Sequence, residues 1–150
     1  MGKRLIIKGA DFSANAIDGI FTDITGLFSS WSAGTYSANN GNTGSSSTVF
    51  KKNAKIDISA YAGKEIRFTK VNYTTQALNE SLYGLAFYDA SNTFISGIKF
   101  PKNENVAGSA ATYYAIDTIP PEAKYIGVTY LNDAKIAEID GLTFKMEVTP

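Results

Sequence analysis

The chain has neither cysteine nor histidine among its 150 residues. The missing thiol excludes disulfides, cysteine nucleophiles and thiolate metal sites. The missing imidazole removes the commonest general base and the commonest transition-metal ligand. Charge is also scarce: 14 basic and 14 acidic residues cancel, so no net field attracts a polyanion. That balance argues against nucleic acid as the main partner. Long apolar runs are lacking as well. Leu5, Ile6 and Ile7 are followed at once by Lys8, whereas a cleaved export signal needs an apolar stretch of about 7–15 residues and a membrane span about 20. With Met1 as the start, a cleaved signal and membrane insertion are not expected. No glycine motif of the P-loop or dinucleotide-binding kind is present.

What remains is a globular composition, 44% hydrophobic, suited to one domain with a real core. Its apolar pattern has period two, as in half-buried strands. Leu142, Phe144, Met146 and Val148 alternate with polar residues, and Ile66 and Phe68 alternate with Glu65, Arg67 and Thr69. Tyr125–Tyr130 is rich in β-branched and aromatic residues. Leu85–Tyr88 and Phe94–Ile98 flank a polar loop, Asp89–Thr93, and read as a hairpin. Lys3–Lys8, Ile20–Ile24 and Tyr113–Thr118 are further strands, the last stopped by Pro120 and Pro121. Turns are predicted at Tyr61–Lys64, Asn103–Gly108 and Leu131–Ala134, and a helical turn fits Ala134–Ile139 or Asp11–Ile17. Short, regularly spaced strands indicate a sandwich or barrel. Ser29–Thr48 is nearly all small and polar, with Trp31 and Tyr36 its only large side chains. It reads as a long surface loop with extended pieces, or as a linker. The division is a strand or arm at 1–28, joining or docking the sandwich, and the sandwich itself at 29–150.

Several phrases recur in a known order and spacing. Trp31–Tyr36 (WSAGTY) precedes Ile56–Ile66 (IDISAYAGKEI). Then come Phe87-Tyr-Asp89, Phe94-Ile-Ser-Gly97, and Ile119-Pro120 followed by Ala123–Tyr130 (AKYIGVTY). Over roughly residues 30–131 the chain resembles the jelly-roll domains, similar to carbohydrate-binding modules, of bacteriophage virion proteins and gut-bacterial surface proteins. The resemblance implies an all-β, jelly-roll-like antiparallel sandwich with a long Ser/Gly/Asn-rich loop. It implies a non-catalytic phage virion surface protein (decoration, head-fibre or tail-associated) with a glycan-binding or attachment role. Its partners would be other virion proteins or further copies of itself, in a homo-oligomer at the virion surface. The alternative is a carbohydrate-binding or adhesin domain of a bacterial cell-surface or secreted protein. The shared residues are mostly scaffold, so fold is implied more strongly than a site.

Sugars need aromatic faces beside carboxamides and hydroxyls. Trp31 and Tyr36, with Asn39 and Asn40, have that chemistry and are the candidate glycan-binding residues; the competing reading makes Trp31 a buried anchor. Tyr73, Tyr83, Tyr113 and Tyr114 are further aromatic candidates, with packing as the default. A carboxylate pair could hydrolyse glycosides, but Asp57 and Asp89 read as turn residues, and no catalytic residue is assigned. Domains of this type often hold one structural Ca2+ through carboxylates and carbonyls. Asp11, Asp133 and Asp140 lie in or near loops, yet no dense acidic loop occurs, so no metal or cofactor is assigned. The basic cluster Lys51, Lys52 and Lys55 reads as a solubilising strand edge. Residues 2–16 could pair with a neighbouring copy, or Lys3–Lys8 could complete the chain's own sandwich.

Overall fold

A computed structural model describes residues 21–44, 50–72, 84–99, 111–131 and 144–150. The strands are β1 (Thr22–Asp23), β2 (Trp31–Ala33), β3 (Thr35–Tyr36), β4 (Thr43–Gly44), β5 (Phe50–Asn53) and β6 (Ile56–Asp57). They continue with β7 (Glu65–Asn72), β8 (Gly84–Tyr88), β9 (Phe94–Lys99), β10 (Ala111–Thr118), β11 (Tyr125–Leu131) and β12 (Phe144–Val148). Among the described residues the only helix is two short 310 turns, Thr25–Leu27 and Ser59–Tyr61. The period-two segments have thus become strands, and β10 stops just before the two prolines, which cannot extend a ladder. The expected elements at Lys3–Lys8, Asp11–Ile17, Asn103–Gly108 and Ala134–Ile139 lie outside the described residues.

Among the described residues every strand pairing is antiparallel. One sheet has the order β1-β12-β7-β10, and the other has the order β2-β5-β11-β8-β9 with β6 also on β11. The sheets face each other across one core. The first contributes Ile66, Phe68, Met146 and Val148, the second Leu85, Phe87, Ile126 and Val128, all buried. Ile24, Phe28, Ile58 and Ile119 close its margins. Residues 22–28 belong to the sandwich through β1 and the core.

Each sheet also has an outward face that is partly covered. On the first, Arg67 and Glu147 stand opposite one another in β7 and β12. The guanidinium donates to Glu147 Oε1 from Nε at 3.0 Å and from Nη2 at 2.7 Å, under the Phe21 ring at 4.8 Å. Lys145 Nζ reaches Glu147 Oε2 at 3.1 Å. Two charges so deeply buried are tolerable because they pair with each other, with Lys145 a second partner for Glu147.

On the second sheet the segment expected as a loop supplies a third layer. Strands β3 and β4 form their own two-stranded sheet and lay Tyr36 and Ala38 across the outer surface of β8, β9 and β11. The approach requires glycine beneath. A Cβ on Gly127 would sit 2.7 Å from the Tyr36 ring, and one on Gly97 would collide with the Ala38 carbonyl. Thr129 pins the layer: its hydroxyl accepts from the Tyr36 N–H at 2.6 Å and donates to the Tyr36 carbonyl at 2.9 Å. Tyr88 donates its hydroxyl to the Gly41 carbonyl at 2.7 Å.

Candidate functional site

Register brings one row of residues together across the second sheet. Phe94 pairs with Tyr88, Tyr88 with Tyr125, and Tyr125 with Asp57. Directly paired residues share a face. Here it is the outward face, where Tyr88 forms a second apolar cluster with Tyr36 and Ala86, flanked by Phe94 and Tyr125. Tyr88 meets Tyr36 edge-on at 6.2 Å and Phe94 at 6.1 Å.

A bulge then adds a charge to this aromatic surface. Lys52 pairs with Thr129 and Ile56 with Ile126. Between them, Asn53, Ala54 and Lys55 oppose only Gly127 and Val128. One extra residue reverses the alternation, as β-bulges do. Lys52 and Lys55 consequently face the same side, at 5.4 and 5.9 Å from the Tyr36 ring centroid. Asn53 turns inward, where its Oδ1 accepts from the Ser30 N–H at 3.1 Å and its Nδ2 donates to the Ala54 carbonyl at 3.1 Å. The strand carrying this basic cluster is not a sheet edge, because β2 pairs with β5 on its outer side.

Lys55 is closely held. Its Nζ lies 3.3 Å from the Tyr88 ring centroid and donates to Asn92 Oδ1 at 2.6 Å. Burial, and then the neighbouring Lys52 charge, push the Lys55 ammonium pKa down. Burial pushes both the Tyr36 and Tyr88 phenols up, in Tyr36 partly opposed by a hydrogen bond to the Lys55 backbone. Among the described residues no carboxylate forms an ion pair with Lys55.

The β8–β9 loop completes the site. Asp89 Oδ1 accepts from the Ser91 and Thr93 N–H groups at 2.9 and 2.8 Å, and the Asn92 N–H donates to the Asp89 carbonyl at 3.0 Å. Asn92 takes a left-handed φ of 65°, a conformation asparagine tolerates better than most residues. Asp89 is thus committed to its own turn, and Asn92 is set facing Lys55. Lys55, Ala90, Ser91, Asn92 and Tyr125 line an open depression of about 300 Å3. That is the lower end of small-molecule pocket sizes, about 300–1,000 Å3. Beyond Tyr125, Asp57 is bound to Lys124 Nζ at 2.5 Å and accepts from the Ser59 hydroxyl and N–H. These contacts hold its carboxyl at about 2, below the usual 3.8.

The sequence-predicted glycan residues divide. Trp31 packs against the main core and donates its indole N–H to the Phe28 carbonyl at 2.9 Å. Tyr36 is 5% exposed, with its ring over Gly127; it offers no open face for stacking. Asn39 and Asn40 are exposed beyond β3. Tyr73 and Tyr83 lie outside the described residues, as do Asp11, Asp133 and Asp140. Among the described residues no group of three or more acidic side chains is placed to hold a metal, and no helix is long and apolar enough to cross a membrane.

Lys55, Ser91, Asn92 and Tyr125 were not singled out as site residues from the sequence. One signal could have found the first. Lys52 stands in phase with Ile56 and Ile58, so unbroken alternation would bury a lysine; a phase slip between 52 and 56 avoids this. Comparison with protein-family models, with curated proteins and with solved structures returned no match.

Proposed function

We propose that this chain is a jelly-roll domain serving as a non-catalytic surface protein of a bacteriophage virion, with a glycan-binding face. The observation that carries the reading is strand order. Taking β5 and β6 as one bulged strand and setting aside the short β2, β3 and β4, eight strands remain among the described residues. Their orders are first-eighth-third-sixth and second-seventh-fourth-fifth. The first pairs with the eighth, the second with the seventh, the third with the sixth and the fourth with the fifth. One long antiparallel ribbon rolled into two sheets would give this order, which supports the jelly-roll reading. Two of the phrases that carry the family resemblance adjoin the depression: Phe87–Asp89 leads into the turn that carries Ala90, Ser91 and Asn92, and Ala123–Tyr130 supplies Tyr125.

In this reading Tyr36 anchors the third layer and Trp31 packs against the main core, while Asn39 and Asn40 are exposed. Asp57 and Asp89 act in turns and ion pairing rather than in chemistry. The chain works as a homo-oligomer or docked on other virion proteins.

Two measurements test the proposal. A glycan array probed with the intact protein should give saccharide signals at millimolar affinity or better, and native mass spectrometry should give a defined dimer or trimer. A monomer that binds glycans would favour the excised adhesin or carbohydrate-binding domain of a bacterial surface protein. An array without signal removes glycan binding.

A further inference from the structure

We propose that the depression between Lys55, Ser91, Asn92 and Tyr125 recognises a carboxylate-bearing sugar, a uronic acid residue of an acidic polysaccharide. The inference rests on the glycan-binding reading above and names its ligand class.

Charge comes first. Lys55 is directed to this face by the bulge, lies against the Tyr88 ring, and donates to Asn92 Oδ1. An ammonium has three donors. One is used by Asn92, leaving donor capacity for a ligand in the depression that Lys55 lines. No carboxylate among the described residues neutralises it, and Lys52 adds a second positive charge on the same side. Lys55 is only partly exposed, held between the Tyr88 ring and Asn92, so an anion would restore what burial has removed. The nearby acids do not compete. Asp89 accepts from its own turn, and Asp57 is neutralised by Lys124 on the far side of Tyr125.

Shape and polarity then distinguish a sugar from a bare anion. Tyr125 is half-buried and supplies an apolar ring beside the cation. Ser91 and the Asn92 carboxamide supply hydroxyl and amide partners. The turn that carries them is fixed by four hydrogen bonds from or to Asp89, so little ordering is needed on binding. A cavity of about 300 Å3 suits one sugar ring, and its openness allows a chain to continue from either end.

The test is isothermal titration of the intact protein with oligogalacturonate, oligomannuronate and a hyaluronan tetrasaccharide. Each is matched to its methyl-esterified neutral counterpart, with acetate and inorganic phosphate as bare anions. At least one acidic oligosaccharide should bind tenfold or more tightly than its ester and than either bare anion. Lys55→Gln should abolish that preference. Ser91→Ala, on the exposed turn and outside the core, should weaken binding several-fold with an unchanged circular dichroism spectrum, which guards against a Lys55 variant that disturbs Tyr88. Esters that bind as well as acids, or a preference surviving Lys55→Gln, overturn the inference and leave glycan binding standing. Acetate or phosphate binding as tightly as the oligosaccharides overturns it as an anion site only. If these saccharides and the array are all silent, the glycan-binding reading fails with it.

Discussion

Thr129 shows how one side chain can hold a layer. Its hydroxyl is fully buried and serves both backbone polar groups of Tyr36. Thr129→Val keeps the shape and leaves two buried groups unpaired, at a cost of about 1–3 kcal/mol each when water cannot replace the bond. Urea unfolding should show a loss of at least about 1 kcal/mol, whereas Thr129→Ser should lose only about the worth of one methyl group, ~0.8 kcal/mol. Equal losses in both variants would mean that packing, not the hydroxyl, holds Tyr36. Asp57 gives a pH signature. Its folded pKa is depressed by Lys124 and Ser59 to about 2 from 3.8. The stability it contributes is therefore complete above 3.8 and lost as pH falls toward 2. Lys124→Met should move the Asp57 carboxyl midpoint, followed by NMR, upward toward 3.8, and narrow the acid range over which the fold survives. A midpoint that stays near 2 would place the cause elsewhere.

Strands were legible where their cause is local. Ile66 and Phe68 in β7 and Met146 and Val148 in β12 declare themselves by alternation, and Asp89 declares its turn by its chemistry. The third layer and the bulge were not legible, because their causes lie far along the chain. Thr35–Gly44, within the expected loop, reads as irregular until Gly97 and Gly127, more than fifty residues away, are seen to make room for Tyr36 and Ala38. Gly97→Ala should therefore release β3 and β4 while leaving the sandwich folded. Hydrogen exchange at the Tyr36, Ser37 and Gly41 amides should rise at least tenfold, with β7 and β12 protection unchanged. Unaltered exchange there would contradict the packing described. The Arg67–Glu147 pair makes the opposite case on the first sheet. Arg67→Met alone should cost up to about 3–5 kcal/mol by leaving the buried Glu147 with only Lys145 as its partner, and the double change Arg67→Met with Glu147→Met should recover most of it. Additive losses in denaturant unfolding would deny that the two charges act as a unit.

Taken whole, the molecule places a rigid double sheet behind one polar and aromatic face. The core of Phe68, Phe87, Ile126 and Met146 fixes the sheets; register then lines up Phe94, Tyr88 and Tyr125, and two irregularities flank them. One is the bulge that turns Lys55 outward, and the other a register shift between Phe87 and Tyr88 on β8 and β9. Bulges concentrate beside functional sites because they re-aim side chains. Phe87–Asp89 and Ala123–Tyr130 were readable as scaffold, and the site beside them was not, since Lys55, Ser91 and Tyr125 meet only through pairing across three segments. The most direct test is amide chemical-shift mapping of the labelled protein during titration with an array-positive acidic oligosaccharide. The account predicts saturable shifts clustered at Lys55, Ser91, Asn92 and Tyr125, with the Arg67–Glu147 face silent. Shifts centred on the opposite sheet, or none at saturating ligand, would contradict it.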